Sequence, residues 1–280
     1  MKGPMSQRVE IRPLSRAIGA EIGGVDAAAA VDDAAFAGIH AAWLAHHVLL
    51  LRDQHLTDAA LVQFTSRFGE LETAPLFQGR RFVEEHPEVM IISNVTIDGR
   101  EIGSLGNYEA FWHTDLNFVD EPPGASCLYA HEVPAEGGNT GFANMEAAFA
   151  TLPAELAANV AGRRIQHDAR FNSAGYLREV RVPDTLHPIV RTHPDTGRKS
   201  LYLGRRANAS IEGLAADESD ALLDALWAHA TSDPLTWHHH WRAGDLLIWD
   251  NRCTLHRRDC FESSARRIMH RTQTRGTRPF

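Results

Sequence analysis

The hydrophobic pattern divides the chain into a helical N-terminal part and a longer part made of short apolar runs. Residues 32–47 place alanine and larger apolar residues at helical spacing, and residues 57–69 do the same. Asp32 or Asp33 can cap the first helix, while Thr57 and Gly69 are residue types that begin and end helices and set the bounds of the second. Between the two helices, the apolar run "VLLLRD" at 48–53 predicts a core strand.

After residue 88 the pattern becomes that of a β protein. Only two segments there, 144–162 and 217–231, have helical spacing. Strand and helix do not alternate regularly, so a parallel sheet built from βαβ units is disfavoured, and a mainly β fold with flanking helices is predicted: a barrel or a double-sheet jelly roll, in a single domain over 1–280. The predicted strands are VEIRPL, VMIISNV, SCLYAHEV, RIQHDARF, HPIVRTH, SLYLG, DLLIWD and RIMHRTQT.

Composition narrows the classes of partner. The chain has 280 residues and a formal net charge of −8, which argues against nucleic acid or an anionic membrane as its main partner. It has no apolar run of about 18 residues that could span a membrane, and its first residues lack the apolar core of a signal peptide. Three scattered cysteines do not form a disulfide framework, so a cytoplasmic location is predicted.

One short stretch suggests chemistry. In "FWHTDLNF", at 111–118, His113 and Asp115 are two residues apart among bulky apolar residues. If this stretch is a strand, both side chains project from the same face. They could then form a salt bridge, share a hydrogen bond or bind one metal ion. A single H-x-D triplet is weak support, since the chain has 16 histidines and repeats the triplet in a Pro-containing turn at 193–195.

The C-terminal segment 244–280 makes the metal interpretation stronger. An apolar strand ends in "WDN", His256 follows, and Arg267 lies about ten residues later in a further strand. Two histidines and one carboxylate form the facial triad of non-haem iron(II) oxygenases, which leaves positions open for an α-keto acid and dioxygen. An arginine supplies a planar cation for the distal carboxylate of such an acid.

Several motifs resemble one enzyme family. They are "LLLRDQHLT", "FGELE", "WHTD", "PPGAS", "GGNTGFANM", "LHPIVRTHPDTGRKSLYLG", "GDLLIWDNRCTLH" and "RRIMHR". Together they resemble the taurine/dichlorophenoxyacetate dioxygenases, which are Fe(II)- and 2-oxoglutarate-dependent. The resemblance implies a double-stranded β-helix, that is, a cupin-like jelly-roll core. It also implies that the chain uses Fe(II), 2-oxoglutarate and O2 to hydroxylate an organic substrate, sometimes with loss of a fragment, and releases succinate and CO2.

The same resemblance assigns roles to individual residues. His113, Asp115 and His256 match the iron ligands, and the retained carboxylate argues against a related halogenase. Thr140 matches a threonine that hydrogen-bonds 2-oxoglutarate, and Arg267 matches the arginine that binds its distal carboxylate.

For the primary substrate, the resemblance implies a small or medium organic acid whose anionic group meets Arg271, four residues after Arg267 on the same strand face. Taurine is disfavoured, because Ala74 and Glu109 stand where taurine oxygenases carry histidine and asparagine. Glu109 could pair with a substrate amine, or be an ordinary exposed loop residue. Tyr108 and Asn117 are further predicted substrate contacts.

Two segments and two alternatives complete the expectations. Residues 103–112 are predicted to form a flexible flap, and 170–188 a loop that lies over the active site or is partly disordered. A zinc hydrolase using the same three ligands, or a catalytically silent small-molecule binding protein, remains open. The zinc alternative gives no role to Thr140 and Arg267. Relatives in the family are dimers or tetramers, so a homo-oligomer is expected.

Overall fold

A computed structural model describes residues 8–108, 110–168 and 185–280 of the chain. Five α-helices and nineteen strands are assigned within these ranges. The helices are α1 Asp33–His46, α2 Asp58–Thr65, α3 Met145–Ala150, α4 Ala154–Val160 and α5 Ala216–Ala230, with 3-10 turns at Ser66–Phe68 and Asp233–Leu235. The strands are β1 Glu10–Pro13, β2 Ala20–Gly23, β3 Val48–Leu51, β4 Met90–Ser93, β5 Thr96–Ile97, β6 Arg100–Glu101, β7 Ser104–Leu105, β8 Ala110–His113, β9 Ala125–Glu132, β10 Thr140–Asn144, β11 Arg164–His167, β12 Thr185–Pro188, β13 Val190–Thr192, β14 Lys199–Leu201, β15 Ser210–Ile211, β16 Thr236–His239, β17 Leu246–Asp250, β18 Thr254–Arg258 and β19 Ile268–Gln273.

The two N-terminal helices begin where their capping residues predict. The Asp32 side chain accepts a hydrogen bond from the Ala35 backbone N–H at the start of α1, and Thr57 does the same for Ala60 in α2. The α1 helix ends at His46, and the capping residue His47 adopts a left-handed conformation at φ 65° and donates its N–H to the Trp43 carbonyl. Local capping chemistry therefore explains both predicted helices.

Two sheets face each other. The larger has eight strands in the order β1-β2-β3-β17-β9-β19-β4-β7, and the smaller has four in the order β16-β10-β18-β8. Most neighbouring strands are antiparallel. Strands that are adjacent in a sheet are often far apart in sequence, as in a jelly roll. The predicted mainly β, jelly-roll fold class is thus confirmed.

Apolar residues form three layers around these sheets. One cluster packs α1 and α2 on the outer face of the large sheet, with Trp43 and Ile39 at its centre. A second lies between the two sheets and includes Phe142, Trp249 and Met269. The third packs α3 and α5 against the outer face of the small sheet. Because β strands alternate their faces, inner-face residues of both sheets meet in the middle layer.

Two local predictions are wrong. The single helix predicted over 144–162 is interrupted, because Pro153 cannot continue a preceding helix and instead begins α4. The strand predicted over 111–118 ends at His113, and Asp115 lies in the turn that follows. Leu116 there adopts a left-handed φ of 46°, which no extended strand accommodates. No helix among the described residues is long and apolar enough to cross a bilayer.

Candidate active site

A cavity of about 410 Å³ lies between the two sheets. Inner-face residues of β18 and β10 line it from the small sheet, and inner-face residues of β4, β9 and β19 line it from the large sheet. Its lining contains five arginines and one carboxylate, alongside an apolar wall. The arginines are Arg205, Arg257, Arg258, Arg267 and Arg271, and the carboxylate is Asp115. Arg257 is paired with Asp259 and Arg271 with Asp115, whereas Arg267 has no ion pair in the described ranges, and a buried cation of this kind favours an anionic occupant.

Strand pairing brings the predicted triad together. His113 at the end of β8 pairs directly with His256 in β18, although 143 positions separate them in the chain. Asp115 reaches the same point from the turn after β8. Its Oδ1 lies 3.7 Å from the Nε2 atom of His113 and 3.7 Å from that of His256. All three side chains are buried, with 7–8% exposure.

The protonation of the two imidazoles suits metal binding. The Nδ1 atom of His113 donates to the Phe111 carbonyl oxygen at 2.7 Å, which leaves the lone pair on Nε2 pointing toward Asp115. Burial, and then the neighbouring His113, lower the pKa of His256 to about 3, so this ring is neutral. The donor set of two imidazole nitrogens and one carboxylate oxygen therefore fits a divalent first-row metal ion.

Neighbouring side chains hold Asp115 in its ionised form. Burial favours the neutral acid, but the charge of Arg271, followed by the nearby imidazoles, holds the pKa of Asp115 far below its usual range. Gln273 donates to Oδ2 at 3.0 Å and Ser126 at 3.2 Å, while Arg271 Nη1 lies 3.3 Å from Oδ1. Arg271 and Gln273 are two residues apart in β19, so their side chains lie on the same face. This spacing could have predicted from sequence that Gln273 reaches the site.

Arg267 is a buried cation without an anionic partner in the part of the chain that the structure describes. It is 2% exposed, and its guanidinium forms no hydrogen bond or ion pair with any residue in the described ranges. Burial, and then the adjacent Arg258, lower the pKa of Arg267 to about 9, so it remains charged at neutral pH. A buried guanidinium is stable only when an anion neutralises it. Because Arg267 lines the cavity, its guanidinium is placed to bind the distal carboxylate of a dianionic cosubstrate.

Thr140 lies on the cavity wall beside this cation. Its Oγ1 accepts a hydrogen bond from the Trp241 indole N–H at 2.9 Å, which leaves the hydroxyl proton available to a ligand. The Trp241 ring also lies 6.0 Å from the Arg267 guanidinium carbon. Trp241 was missed from sequence, because no local pattern in "WHHHW", at 237–241, indicates that its ring reaches Thr140.

Arg258 ties the segment 103–112 to the site. This second buried arginine donates to the backbone carbonyls of Leu105, at 2.8 Å, and Tyr108. Leu105 also pairs with the large sheet through β7, whereas β8 belongs to the small sheet. The segment predicted to be a flap thus connects the two sheets and is anchored at both ends. Arg258 was another residue that the sequence interpretation missed.

The predicted substrate contacts have different outcomes. The Asn117 side chain is buried and lines the cavity, although it reaches it from a turn rather than from the predicted strand. The Tyr108 side chain is 54% exposed and does not line the cavity, because the left-handed backbone at Leu105 and Gly106 turns the loop outward. Glu109 and most of the loop predicted over 170–188 lie outside the described residues.

Comparison with known proteins agrees with this geometry. Residues 10–273 match the model of the taurine catabolism dioxygenase TauD, TfdA family. The chain belongs to this family. An (S)-phenoxypropionate/alpha-ketoglutarate-dioxygenase from Sphingobium herbicidovorans is 34% identical, with 97% of this chain and 96% of that protein covered. An alpha-ketoglutarate-dependent 2,4-dichlorophenoxyacetate dioxygenase from Cupriavidus pinatubonensis is 37% identical over 243 residues, covering 81% of this chain and 84% of that protein.

Solved structures give the same family. A taurine dioxygenase from Burkholderia xenovorans superimposes with a TM-score of 0.80 at 36% identity, covering 97% of this chain and 92% of that one. The predicted family is therefore confirmed, as is the enzyme class that it implied. These relatives support an oxygenase and give no support to the zinc-hydrolase or silent-binding alternatives.

Proposed function

We propose that this TauD/TfdA family member is an Fe(II)- and 2-oxoglutarate-dependent dioxygenase that oxidises a small or medium organic acid and releases succinate and CO2. One observation carries the proposal. The two-histidine, one-carboxylate group and the unpaired Arg267 border the same cavity. A hydrolytic metal site would use the triad but would leave the buried arginine without an anion.

In this proposal His113, Asp115 and His256 hold the iron, and Arg267 and Thr140 hold 2-oxoglutarate. When bound, Fe(II) would supply dioxygen activation and the oxidising equivalent that attacks a C–H bond. The chain's own part is to position these groups. Gln273 and Ser126 keep one carboxylate oxygen of Asp115 occupied, so its Oδ1 is the atom directed at both imidazoles. Hydrogen bonds from neighbouring side chains to a ligand residue orient that residue before the metal arrives.

Arg271 is proposed to bind the anionic group of the primary substrate. Its present contact with Asp115 is long, at 3.3 Å, and its Nε has no hydrogen-bond partner among the described residues. A carboxylate could therefore engage the guanidinium while Asp115 serves the metal. Leu116, Phe118 and Leu128 supply an apolar wall for the body of the substrate. Relatives named for phenoxypropionate and 2,4-dichlorophenoxyacetate support an acid with an apolar body.

Asn117 is proposed to orient this substrate through its side-chain amide, which lines the cavity. Glu109 keeps its role only as an expectation from sequence: a partner for a substrate amine, if the acid has one. Ala74 lacks the polar group expected for taurine, so the proposed substrates are carboxylates rather than taurine itself.

A substrate screen followed by two variants tests these assignments. Succinate formation is measured over phenoxyalkanoates, other carboxylates, amino acids and sulfonates. With the best substrate, Arg271→Ala should raise the apparent KM for that substrate far more than the KM for 2-oxoglutarate. Arg267→Ala should do the reverse. If Arg271→Ala affects only 2-oxoglutarate, or if the best substrate is neutral, the anionic-substrate assignment fails while the oxygenase class stands.

Three further properties are also proposed. The net charge of −8 supports a role without nucleic acid, and the lack of a spanning helix in the described residues is compatible with the cytoplasm. A homo-oligomer, either dimer or tetramer, is carried over from the family. Light scattering during gel filtration measures this directly, and a monomer at micromolar concentration contradicts it.

A further inference from the structure

A further group of side chains that could hold a metal ion lies on the opposite face of the large sheet. Asp58, His131 and His270 place one possible ligand atom each within 4.8 Å of one another. Asp58 is the first residue of α2, whereas the two histidines come from the adjacent strands β9 and β19. His270 faces away from the cavity that its neighbour Arg271 lines.

A local irregularity brings the two histidines together. The pairing of β9 with β19 skips His131, because Met269 lies opposite Ala130 and Ile268 lies opposite Glu132. An extra residue of this kind redirects a side chain, and such bulges are common next to functional sites. As a result the His131 and His270 rings approach to 4.1 Å between centroids.

The third ligand is already in contact. The Nδ1 atom of His270 lies 2.5 Å from Asp58 Oδ1, a hydrogen bond whose proton a metal ion would displace to solvent. Two ligands on a tetrahedral ion with bonds of about 2.1 Å are about 3.4 Å apart, so a metal needs only a small separation of this pair. His131 is exposed, and the other two side chains are 13% and 23% exposed, so water can complete the coordination.

The charge balance separates this group from the buried one around Asp250. There, Arg252 neutralises the carboxylate with two bonds of 2.8 Å, which leaves no vacancy for a cation. The neighbours that act on the pKa of Asp58 are instead His270, His131 and His86, after the effect of its own burial. Neutral imidazoles are metal ligands, whereas a guanidinium is not.

We infer that Asp58, His131 and His270 form a second site for a borderline divalent ion such as Zn²⁺, distinct from the triad. Two nitrogens and one carboxylate oxygen suit zinc, with water as a fourth ligand. The ion joins the start of α2 to β9 and β19. It therefore ties α2 to the outer face of β19, the strand whose inner face carries Arg271. The inference does not depend on the proposed oxygenase activity.

Equilibrium dialysis against Zn²⁺ with metal analysis tests the site. The intact protein should bind two Zn²⁺ per chain, with a Kd of about 10 µM or tighter at each site. A His131→Gln/His270→Gln variant should bind one, and His256→Ala should bind one. His240→Ala, which changes an exposed histidine outside both groups, should bind two. If the double variant does not fold, His131→Ala alone carries the test, because this side chain is exposed.

A thermal measurement supplies a readout that is independent of turnover. In the His256→Ala background, Zn²⁺ at ten times Kd should raise Tm by roughly 2–4 °C. Adding the His131→Gln and His270→Gln changes should abolish that rise. The second site is excluded if the intact protein binds a single Zn²⁺ that His256→Ala removes. It is equally excluded if the double variant still binds two, or if the second ion binds only at millimolar concentration.

Discussion

Two buried groups in this molecule have similar compositions but differ in how closely their charged side chains are paired. His113, Asp115 and His256 form one, and His193, Asp250 and Cys253 form the other, both with possible ligand atoms within 4.8 Å. Asp250 has a partner for each oxygen, because Arg252 binds both at 2.8 Å and His193 lies 2.9 Å from Oδ2.

The contacts within the triad are longer. Its imidazole nitrogens stop 3.7 Å from Asp115, which is beyond hydrogen-bond distance, and the nearby Arg267 has no anion among the described residues. Composition alone would not have separated the two groups. The Asp250 group is held by short ion pairs and supports the fold, whereas the cavity that contains the triad also contains an arginine without an anion in the described ranges and is arranged for a ligand.

The largest expected difference comes from replacing one histidine in each group. His256→Ala should reduce succinate formation to background, because two remaining ligands hold a metal poorly. His193→Ala should retain activity per folded molecule but lower the free energy of unfolding by about 1–3 kcal/mol, because the buried Asp250 loses a partner. Urea unfolding of metal-free protein and a succinate assay measure both. Full activity in His256→Ala, or an inactive but fully stable His193→Ala, would show that the two roles are assigned to the wrong groups.

Arginine-to-lysine changes sharpen the same contrast. Arg267→Lys should weaken 2-oxoglutarate by roughly ten- to a hundred-fold, or about 1.5–3 kcal/mol, because lysine cannot supply two parallel bonds. Arg252→Lys is the matched control, since it loses the bidentate contact with Asp250 and should reduce stability rather than cosubstrate affinity. The measurement is the apparent KM for 2-oxoglutarate beside the urea midpoint. If the KM for 2-oxoglutarate is unchanged in Arg267→Lys, a residue other than Arg267 binds its distal carboxylate.

Acid should destabilise the metal-free protein. Burial lowers the pKa of His47 to about 4, and of His167 and His256 to about 3, from the usual value near 6.5. The unfolded chain therefore binds more protons below pH 6.5, so stability is complete above that pH and falls toward pH 3. Each histidine should cost about 2 kcal/mol between pH 7 and pH 5.

Urea unfolding at the two pH values measures this effect, and His167→Phe should remove about one histidine's share of it. Phenylalanine suits this position because His167 already packs against the rings of His187 and Tyr202. A stability that stays constant or rises toward pH 5 would mean that these imidazoles are not kept neutral by the fold.

The smallest expected effect concerns the tether on the segment 103–112. Arg258→Met removes the donors to the Leu105 and Tyr108 carbonyls, so the loop should hold the substrate less well. We expect the KM of the primary substrate to rise roughly five-fold, which corresponds to about 1 kcal/mol. Arg266→Met, which breaks only an exposed pair with Glu132, is the control and should change nothing measurable. If both variants change the KM of the primary substrate equally, Arg258 has no specific role in substrate binding.

Local pattern was sufficient for much of this molecule. Alternating or short apolar runs predicted most core strands, caps predicted α1 and α2, and the motifs around His113 and His256 predicted the family and its triad. These features depend on neighbours within a few residues, because strand and helix periods and capping bonds are short-range. The break at Pro153 was readable in principle from the same rules.

Long-range packing decided the rest. Asp115 reaches the cavity from a turn, not a strand, and only the pairing of β8 with β18 brings it between two histidines 143 positions apart. That Arg267 is unpaired while Arg252 is paired depends on which residues meet across the two sheets. The His131 bulge likewise exists only in the register of β9 against β19. Charges are matched or left unmatched by residues distant in sequence, and no local period records those contacts.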